Sequence, residues 1–101
     1  MTVLSIAEIP YENGNIEYRY TRTMSPDGTR WIKNGLFHHF YPDGSLSSEG
    51  TYVEGREHGL WTDYHPNGQL AARGLYENGK EVGKWEFWNS DGTPDIENDE
   101  V

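Results

Sequence analysis

Short runs of alternating apolar and polar residues, separated by glycine-containing turns, make up most of this chain. The turns are Pro26-Asp27-Gly28, Pro42-Asp43-Gly44 and Pro66-Asn67-Gly68, with Ser90-Asp91-Gly92 as a weaker copy. Proline presets φ at the first turn position, and glycine accepts the positive φ that follows. The runs between turns are rich in Tyr, Trp, Thr, Phe, Leu and Val, which favour strands, and they show no helical period free of Gly or Pro. The pattern predicts an all-β fold, an open antiparallel meander of stacked β-hairpins.

The pattern recurs every 24 residues in the second half of the chain. Gly35-Leu36-Phe37, Gly59-Leu60-Trp61 and Gly83-Lys84-Trp85 open successive units. A fixed period indicates one small unit stacked several times, because a single unit cannot bury its apolar face alone. We therefore predict repeats at 35–58 and 59–82, a partial repeat at 83–92, an N-terminal segment 1–34 with a degenerate capping hairpin, and an acidic tail at 93–101. Stacked repeats usually hold other molecules on an extended surface.

Two kinds of connection between strands are predicted. Gly28, Gly44, Gly68 and Gly92 form one series, and its first spacing is 16 residues where the others are 24. The short first spacing predicts a curtailed strand at 29–33, and terminal repeats are often atypical because they cap the stack. The second kind of connection is longer, from Glu54-Gly55 through residue 58 and from Asn78-Gly79 through residue 82.

The strand register leaves two assignments of side chains to the faces of the sheet. A three-residue loop, Pro66-Asn67-Gly68, places Tyr64 and Gly74 on one face, whereas a two-residue loop places Trp61 opposite Gly74. We favour the three-residue loop because proline fits the first position of a type I turn. Gly50 and Gly74 lie within apolar strands, where glycine is normally unfavourable. We predict that a neighbouring aromatic ring lies on the bare backbone at both positions.

Composition adds one strong feature, an uneven charge. Residues 1–34 carry four acids and four bases, so the whole net charge of −9 falls on residues 35–101. An acidic surface serves solubility or steers a basic partner, and it disfavours direct contact with nucleic acid or with an anionic membrane. The absence of cysteine excludes disulfides and thiolate chemistry, and no cofactor is expected. Because the sequence shows no secretory signal and no long apolar run, we expect a cytoplasmic location.

The residues of one full unit, Gly59 to Gly79, form a specific motif. It reads Gly-x-Trp-x-x-Tyr, then Pro-Asn-Gly-x-Leu, then Gly-x-Tyr-x-x-Gly, and the preceding unit repeats it in register. This motif resembles the MORN repeat, and it looks like the bacterial variant seen in YwqK-like antitoxins. The similarity covers about residues 35–92. It implies an open repeat sheet that serves protein–protein contact, with an antitoxin or immunity role.

The repeat generates two columns of aromatic residues that are candidate contact residues. They are Phe37, Trp61 and Trp85 in one column, and Phe40, Tyr64 and Trp88 in the other. One column packs in the core, and the other is expected to be an exposed aromatic stripe with a charged rim, as in protein interfaces. The rim residues are Glu49, Glu57, Arg73, Glu81 and Glu86.

Other polar residues have simpler structural roles. His38 and His39 are neighbours on a strand and point to opposite faces, so no metal site is predicted. The aspartates of the turns are turn formers. Ser47-Ser48 have no acid or base placed to complete a nucleophile constellation, so an enzyme is not expected.

Two functional classes remain open on the sequence alone. The first is an antitoxin or immunity-type inhibitor of a partner protein, such as a basic toxin or nucleic-acid-handling protein, bound through an acidic sheet face. Trp61, Trp85 or Tyr64 would be its central anchors. The alternative is an acidic mimic of nucleic acid that occupies the groove of a DNA- or RNA-handling protein. Self-association through sheet edges is a third option.

Overall fold

Seven antiparallel strands in chain order form one open sheet in the computed structural model, which describes residues 3–96. The strands are β1 Leu4–Pro10, β2 Ile16–Met24, β3 Trp31–Phe40, β4 Leu46–Val53, β5 Arg56–Tyr64, β6 Leu70–Glu77 and β7 Lys80–Phe87. Principal extents of 46 × 35 × 15 Å correspond to a single layer. This architecture confirms the predicted all-β meander of hairpins. The tail predicted at 93–101 lies outside the described residues from residue 97 onward.

Three-residue turns join the strands at one end of the sheet, which we call the first end. Between β5 and β6, the Gly68 N–H donates to the His65 carbonyl at 2.9 Å, and the His65 N–H donates to the Gln69 carbonyl at 2.8 Å. Gly68 has a φ of +90°. The predicted three-residue loop is therefore confirmed. The same pair of hydrogen bonds closes the turns that contain Gly14, Gly44 and Gly92.

An extra residue follows this turn on the returning strand and changes the register. The pairs nearest the turn are Tyr64 with Leu70, then Asp63 with Ala72. Ala71 is thus a bulge, and beyond it Trp61 lies opposite Gly74. The favoured assignment, with Tyr64 and Gly74 on one face, is wrong although the loop length was right. A bulge of one residue moves every later side chain to the other face.

At the other end of the strands, the second end, the connections are tighter than predicted. Pairing continues up to the residues that flank Glu54-Gly55 and Asn78-Gly79, so both are two-residue turns rather than longer loops. Glu54 and Gly55 have φ of +49° and +85°. Asn78 and Gly79 have φ of +51° and +83°. Positive φ at both positions suits the right-handed twist of the flanking strands.

Pro26-Asp27-Gly28 also lies at the second end, where it joins β2 to β3. Its placement in one series with the turns of Gly44, Gly68 and Gly92 is wrong, and Gly14 holds that place. The strand that follows, predicted to be curtailed, is β3, which at 10 residues is the longest in the sheet. A Pro-Asp-Gly sequence suits a turn at either end, so the sequence of this turn does not reveal the end to which it belongs.

One face of the sheet carries the core, and we call it the ladder face. Phe37, Trp61 and Trp85 are buried there, with exposures of 7%, 7% and 4%. A Cβ atom on Gly50 would overlap the indole of Trp61, and one on Gly74 would overlap the indole of Trp85. The prediction that rings lie on the bare backbone at these two glycines is confirmed.

Widened pairing opposite each of these glycines makes room for the indole. Gly50 faces residues 59–61 of β5, and Gly74 faces residues 83–85 of β7. Each insertion begins with a glycine, Gly59 or Gly83, whose φ is +78° or +69°. Residues with a side chain rarely adopt such angles, so the sequence needs glycine at both ends of the contact.

Tyrosines join the buried rings into a continuous ladder across the sheet. Tyr52 lies between Phe37 and Trp61, with centroid distances of 5.2 and 5.4 Å. Tyr76 lies between Trp61 and Trp85, at 5.9 and 5.2 Å. The interplanar angles run from 63° to 84°, the edge-to-face arrangement that aromatic rings favour. Each unit therefore packs against the next through its rings.

A side chain at Gly74 should destabilise the sheet because it displaces the Trp85 indole. We expect Gly74→Val to lower the free energy of unfolding by about 3 kcal/mol. The control is Gly79→Ala, which introduces strain at a positive φ without overlapping a ring and should cost about 1 kcal/mol. Chemical denaturation of both variants gives the comparison. Equal, small losses would contradict a close ring–backbone contact.

Glu54 holds a positive φ that the equivalent turn gives to an asparagine, Asn78. Asparagine tolerates this region better than glutamate does, and Asn-Gly is the preferred sequence for such turns. We expect Glu54→Asn to raise the free energy of unfolding by about 0.5–1 kcal/mol. The converse variant, Asn78→Glu, should lower it by a similar amount. A thermal unfolding series in which both changes act in the same direction would contradict this account.

Candidate protein-interaction surface

The face opposite the core carries an exposed row of aliphatic side chains, and we call it the leucine face. Ile6, Leu36, Leu60 and Leu75 are 65%, 63%, 56% and 50% exposed. They lie in one band because Ile6 and Leu36 line one shallow groove, Leu36 and Leu60 line the next, and Leu60 pairs directly with Leu75. We call these four residues the leucine row. Large apolar side chains exposed in a contiguous band mark interaction sites more often than scattered ones do.

Charged side chains pair across the strands beside the leucine row. Arg19 Nη2 lies 2.8 Å from Glu8 Oε2, and Arg73 Nη2 lies 3.2 Å from Glu86 Oε1. Between them, His38 Nε2 lies 3.6 Å from Glu49 Oε2. The two arginines each face a glutamate in these pairs, so most of the charge of the band is compensated. The band therefore forms a polar border without a strong net field.

The second aromatic column lies on the same face, towards the first end. Its members are Phe40, Tyr64 and Trp88, all half-buried. The Tyr64 hydroxyl donates to Glu49 Oε1 at 3.0 Å, and burial, followed by this hydrogen bond, raises the tyrosine pKa. The Arg73 guanidinium carbon lies 5.4 Å from the centroid of the Trp88 ring, in cation–π range. The charged band thus packs against the aromatic column.

The structure divides the predicted contact residues between the two faces. The column of Phe37, Trp61 and Trp85 forms the core, so these rings are not available as anchors. Glu57 pairs with Tyr52, and Glu81 pairs with Tyr76, on the ladder face. Glu86, beside Arg73, lies on the leucine face. The predicted acidic rim therefore does not surround a single surface.

The acids of the ladder face affect the ladder tyrosines. Burial raises the pKa of Tyr52 above its usual value, and the nearby Glu57 carboxylate adds to the rise. Burial likewise raises the pKa of Tyr76, with Glu81 as the next cause. These phenols are thus neutral hydroxyls at ordinary pH and lie beside carboxylates at the margin of the ladder. Glu57 and Glu81 thus occupy equivalent places beside the ladder in successive repeats.

Hydrogen bonds between successive turns are a feature that the sequence interpretation missed. Tyr11 donates its hydroxyl to the Phe40 carbonyl at 2.7 Å, and Tyr41 donates to the Tyr64 carbonyl at 2.5 Å. His65 Nε2 lies 2.7 Å from the Trp88 carbonyl, a bond that requires a proton on that nitrogen. The signal was the ring-bearing residue that begins three of the four turns at the first end. These bonds fix the backbone of the aromatic column.

The turn aspartates accept hydrogen bonds, as turn formers do. Asp27 Oδ1 accepts from the Ser25 hydroxyl at 2.6 Å, the Thr29 hydroxyl at 2.7 Å and the Thr29 N–H at 3.0 Å. These bonds, that of Ser25 above all, lower the pKa of Asp27 to about 2. Hydrogen bonds from Ser45 and Thr93 lower the pKa of the equivalent aspartates in the same way.

The remaining polar residues do not converge on a reactive centre within residues 3–96. His38 lies beside Phe40 on the leucine face, whereas His39 stacks on Tyr18 of the ladder face with 4.6 Å between centroids. No group of three or more histidine, aspartate or glutamate side chains is placed to hold a metal ion in this part of the chain. The same residues contain no helix of the length and apolarity needed to cross a bilayer.

The fold and its surface define a class of protein, an open array of hairpin repeats with one buried face and one exposed face. Within it, residues 33–54 and 57–80 match the family described as MORN repeat variant. The expected resemblance is thus confirmed for two adjacent repeats. MORN repeats are non-catalytic modules that in general bind proteins or membranes. No curated protein and no solved structure matches the chain significantly.

The turn at Asp27 should give the protein a measurable acid sensitivity. A pKa depressed in the folded state stabilises the protein above the unfolded value, and the stabilisation is lost as pH falls between about pH 4 and pH 2. Asp27→Asn should flatten this part of the stability profile yet keep the turn. Asn67 shows that an amide suffices, since its Oδ1 accepts from the Gln69 N–H at 2.9 Å. Urea denaturation from neutral to acid pH tests this, and an unchanged profile would contradict it.

Proposed function

We propose that this chain is a protein-binding module that holds a partner protein on its leucine face. The observation that carries the proposal is the leucine row, in which four large aliphatic side chains, each at least half exposed, cross the sheet from β1 to β6. Because only about half of each side chain is still exposed, covering it would contribute about 1–2 kcal/mol per residue. A partner that covers the row gains that burial.

The surroundings of the leucine row fit a protein partner. The row is bordered on one side by compensated ion pairs and beyond them by half-buried aromatic rings. An apolar centre with a polar border is typical of protein interfaces. A sheet of 46 × 35 Å also offers enough area for a standard interface of about 800 Å² per partner. The anchors on this face are leucines, with Tyr64 and Trp88 beside them.

The finer part of the proposal is an inhibitor of the antitoxin or immunity type, acting in the cytoplasm. A rigid, preformed sheet blocks a partner's active surface at little entropic cost. The net charge of −9 supports a partner with a basic surface, such as a toxin or a nucleic-acid-handling protein, because opposite charge accelerates encounter. Resemblance of the repeat motif to antitoxin proteins supports the same role.

The acids of the ladder face favour a second candidate, an acidic mimic of nucleic acid. Glu57 and Glu81 recur 24 residues apart beside Tyr52 and Tyr76, which places two negative charges at equivalent positions of successive repeats. Such a mimic would enter the groove of a DNA- or RNA-handling protein. Its affinity would fall steeply with salt, whereas binding on the leucine row would change little. Affinity measured at low and high salt separates the two mechanisms.

A polar substitution in the leucine row should weaken partner binding without unfolding the sheet. For a partner recovered on the immobilised chain, we expect Leu60→Gln to raise Kd about tenfold or more, through faster dissociation. Surface plasmon resonance measures both rates. Ile96→Gln is the matched control, because Ile96 is 78% exposed and lies outside the row.

The ladder-face acids provide the opposing variant, Glu57→Gln with Glu81→Gln. If this pair abolishes binding while Leu60→Gln binds normally, the leucine-face proposal fails and the acidic mimic replaces it. Unchanged circular dichroism of all variants is required, so that a loss of binding is not a loss of fold.

A further inference from the structure

The two open edges of the sheet differ in their protection against pairing with another strand. The outer strand β7 contains Lys80 and Lys84, and the chain after it folds back so that Pro94 bridges to Trp88. Lysine and proline are common means of blocking an edge. The opposite outer strand, β1, has neither lysine nor arginine, and its one ionisable residue, Glu8, is paired with Arg19. Leu4 and Ile6 on β1 are 66% and 65% exposed.

Within residues 3–96, no strand pairs with the outer edge of β1. The Met24 N–H donates to the Val3 carbonyl at 3.1 Å, so Val3 faces β2. In an antiparallel ladder alternate residues face the same neighbour. Ser5 and Ala7 therefore bond to β2, and the backbone groups of Leu4, Ile6 and Glu8 point away from the sheet. The proline at position 10 ends this open stretch because it has no N–H.

The charge distribution favours a second copy of the chain as the occupant of this edge. Residues 1–34, which contain β1 and β2, have no net charge, whereas residues 35–101 carry the full −9. Two copies that meet through β1 bring their neutral ends together and keep their acidic repeats at opposite ends of the assembly. Any contact between repeat ends would instead bring like charges together.

We propose that β1 pairs antiparallel with β1 of a second copy, about a two-fold axis at Ile6. Ile6 then lies opposite Ile6 of the other copy, and Leu4 lies opposite Glu8. The outward groups of these residues supply about six backbone hydrogen bonds between the copies. The two sheets become one continuous sheet, and the leucine rows of both copies join at the axis. This inference does not rest on the proposed function.

Sedimentation equilibrium of the full chain over a wide range of concentration tests the proposal. A monomer–dimer equilibrium is expected. Ile6→Pro removes an N–H that points away from β2, so β1 keeps its pairing within the chain, and edge strands tolerate proline at such positions. Because two intermolecular hydrogen bonds are lost, the dimer dissociation constant should rise about 30-fold or more. Ile6→Lys should have the same effect by placing a charge at the axis.

A leucine-face variant separates edge pairing from stacking of two exposed faces. Leu60→Lys lies in β5, far in sequence from β1, and should leave the dimer intact. If Leu60→Lys dissociates the dimer while Ile6→Pro and Ile6→Lys do not, the copies associate through their faces and the edge proposal is wrong. A chain that remains monomeric at every concentration also overturns it. Far-UV circular dichroism of each variant shows that the sheet persists.

Discussion

The contact between an indole and a bare glycine backbone is the constraint on which this sheet depends. Trp61 lies on Gly50 and Trp85 lies on Gly74, so each ring buries the backbone of the preceding strand. The arrangement requires a strand glycine without Cβ and a second glycine, before the tryptophan, that opens the pairing with a positive φ. The strand glycine, the second glycine and the tryptophan keep the same spacing in both units, as the 24-residue period requires. Because each ring needs the strand before it, no repeat can complete its core alone, which explains why the units stack.

Because the core lies on one face of the sheet, the other face is left exposed for binding. A single layer about 15 Å thick has no second sheet to cover its other side, so the aliphatic residues that alternate with the core rings stay exposed. The hydrogen bonds between successive turns, such as Tyr41 to the Tyr64 carbonyl, hold the strands in a fixed spacing. The exposed row is therefore preorganised before any partner arrives, and binding need not order it. The ion pairs beside the row give it a polar border without adding a strong charge.

Much of this fold was predictable from local chemistry, and the errors have identifiable physical causes. The turns, the strands and the ring contacts at Gly50 and Gly74 follow from residue types with strong backbone preferences. The assignment of faces was wrong because nothing in the sequence marks the bulge. The bulged residue is Ala71 in one unit and Ser47 in the preceding one, and neither residue type signals a bulge. The prediction of a longer connection at Glu54-Gly55 was wrong because glutamate seldom adopts the positive φ that a two-residue turn requires. Since one extra residue exchanges the faces of a strand, Trp61 was equally compatible with a core position and with a binding position. The sequence thus identified the aromatic residues, but which of them lie in the core and which on the surface depends on the strand register.

The N-terminal end of the sheet shows how the ladder stops without closing the sheet. Beyond Phe37 the rings continue to Tyr18 and Tyr20 of β2, whose centroids lie 5.9 and 6.0 Å from that of Phe37. The Lys33 ammonium covers this part of the ladder, 5.3 Å from the centroids of both Tyr20 and Tyr52. The positive charge of an ammonium is attracted to the electron-rich faces of aromatic rings, so Lys33 can cover these rings and still contact water. The side-chain core is therefore complete at β2 and β3, with the small Ala7 sufficient to cover its margin on β1. The backbone ladder, by contrast, is not complete, because β1 still has outward N–H and carbonyl groups. The core of side chains thus ends at β2 and β3, whereas backbone pairing can continue beyond β1. A further strand at this edge would be held by backbone hydrogen bonds and would not need to supply another ring.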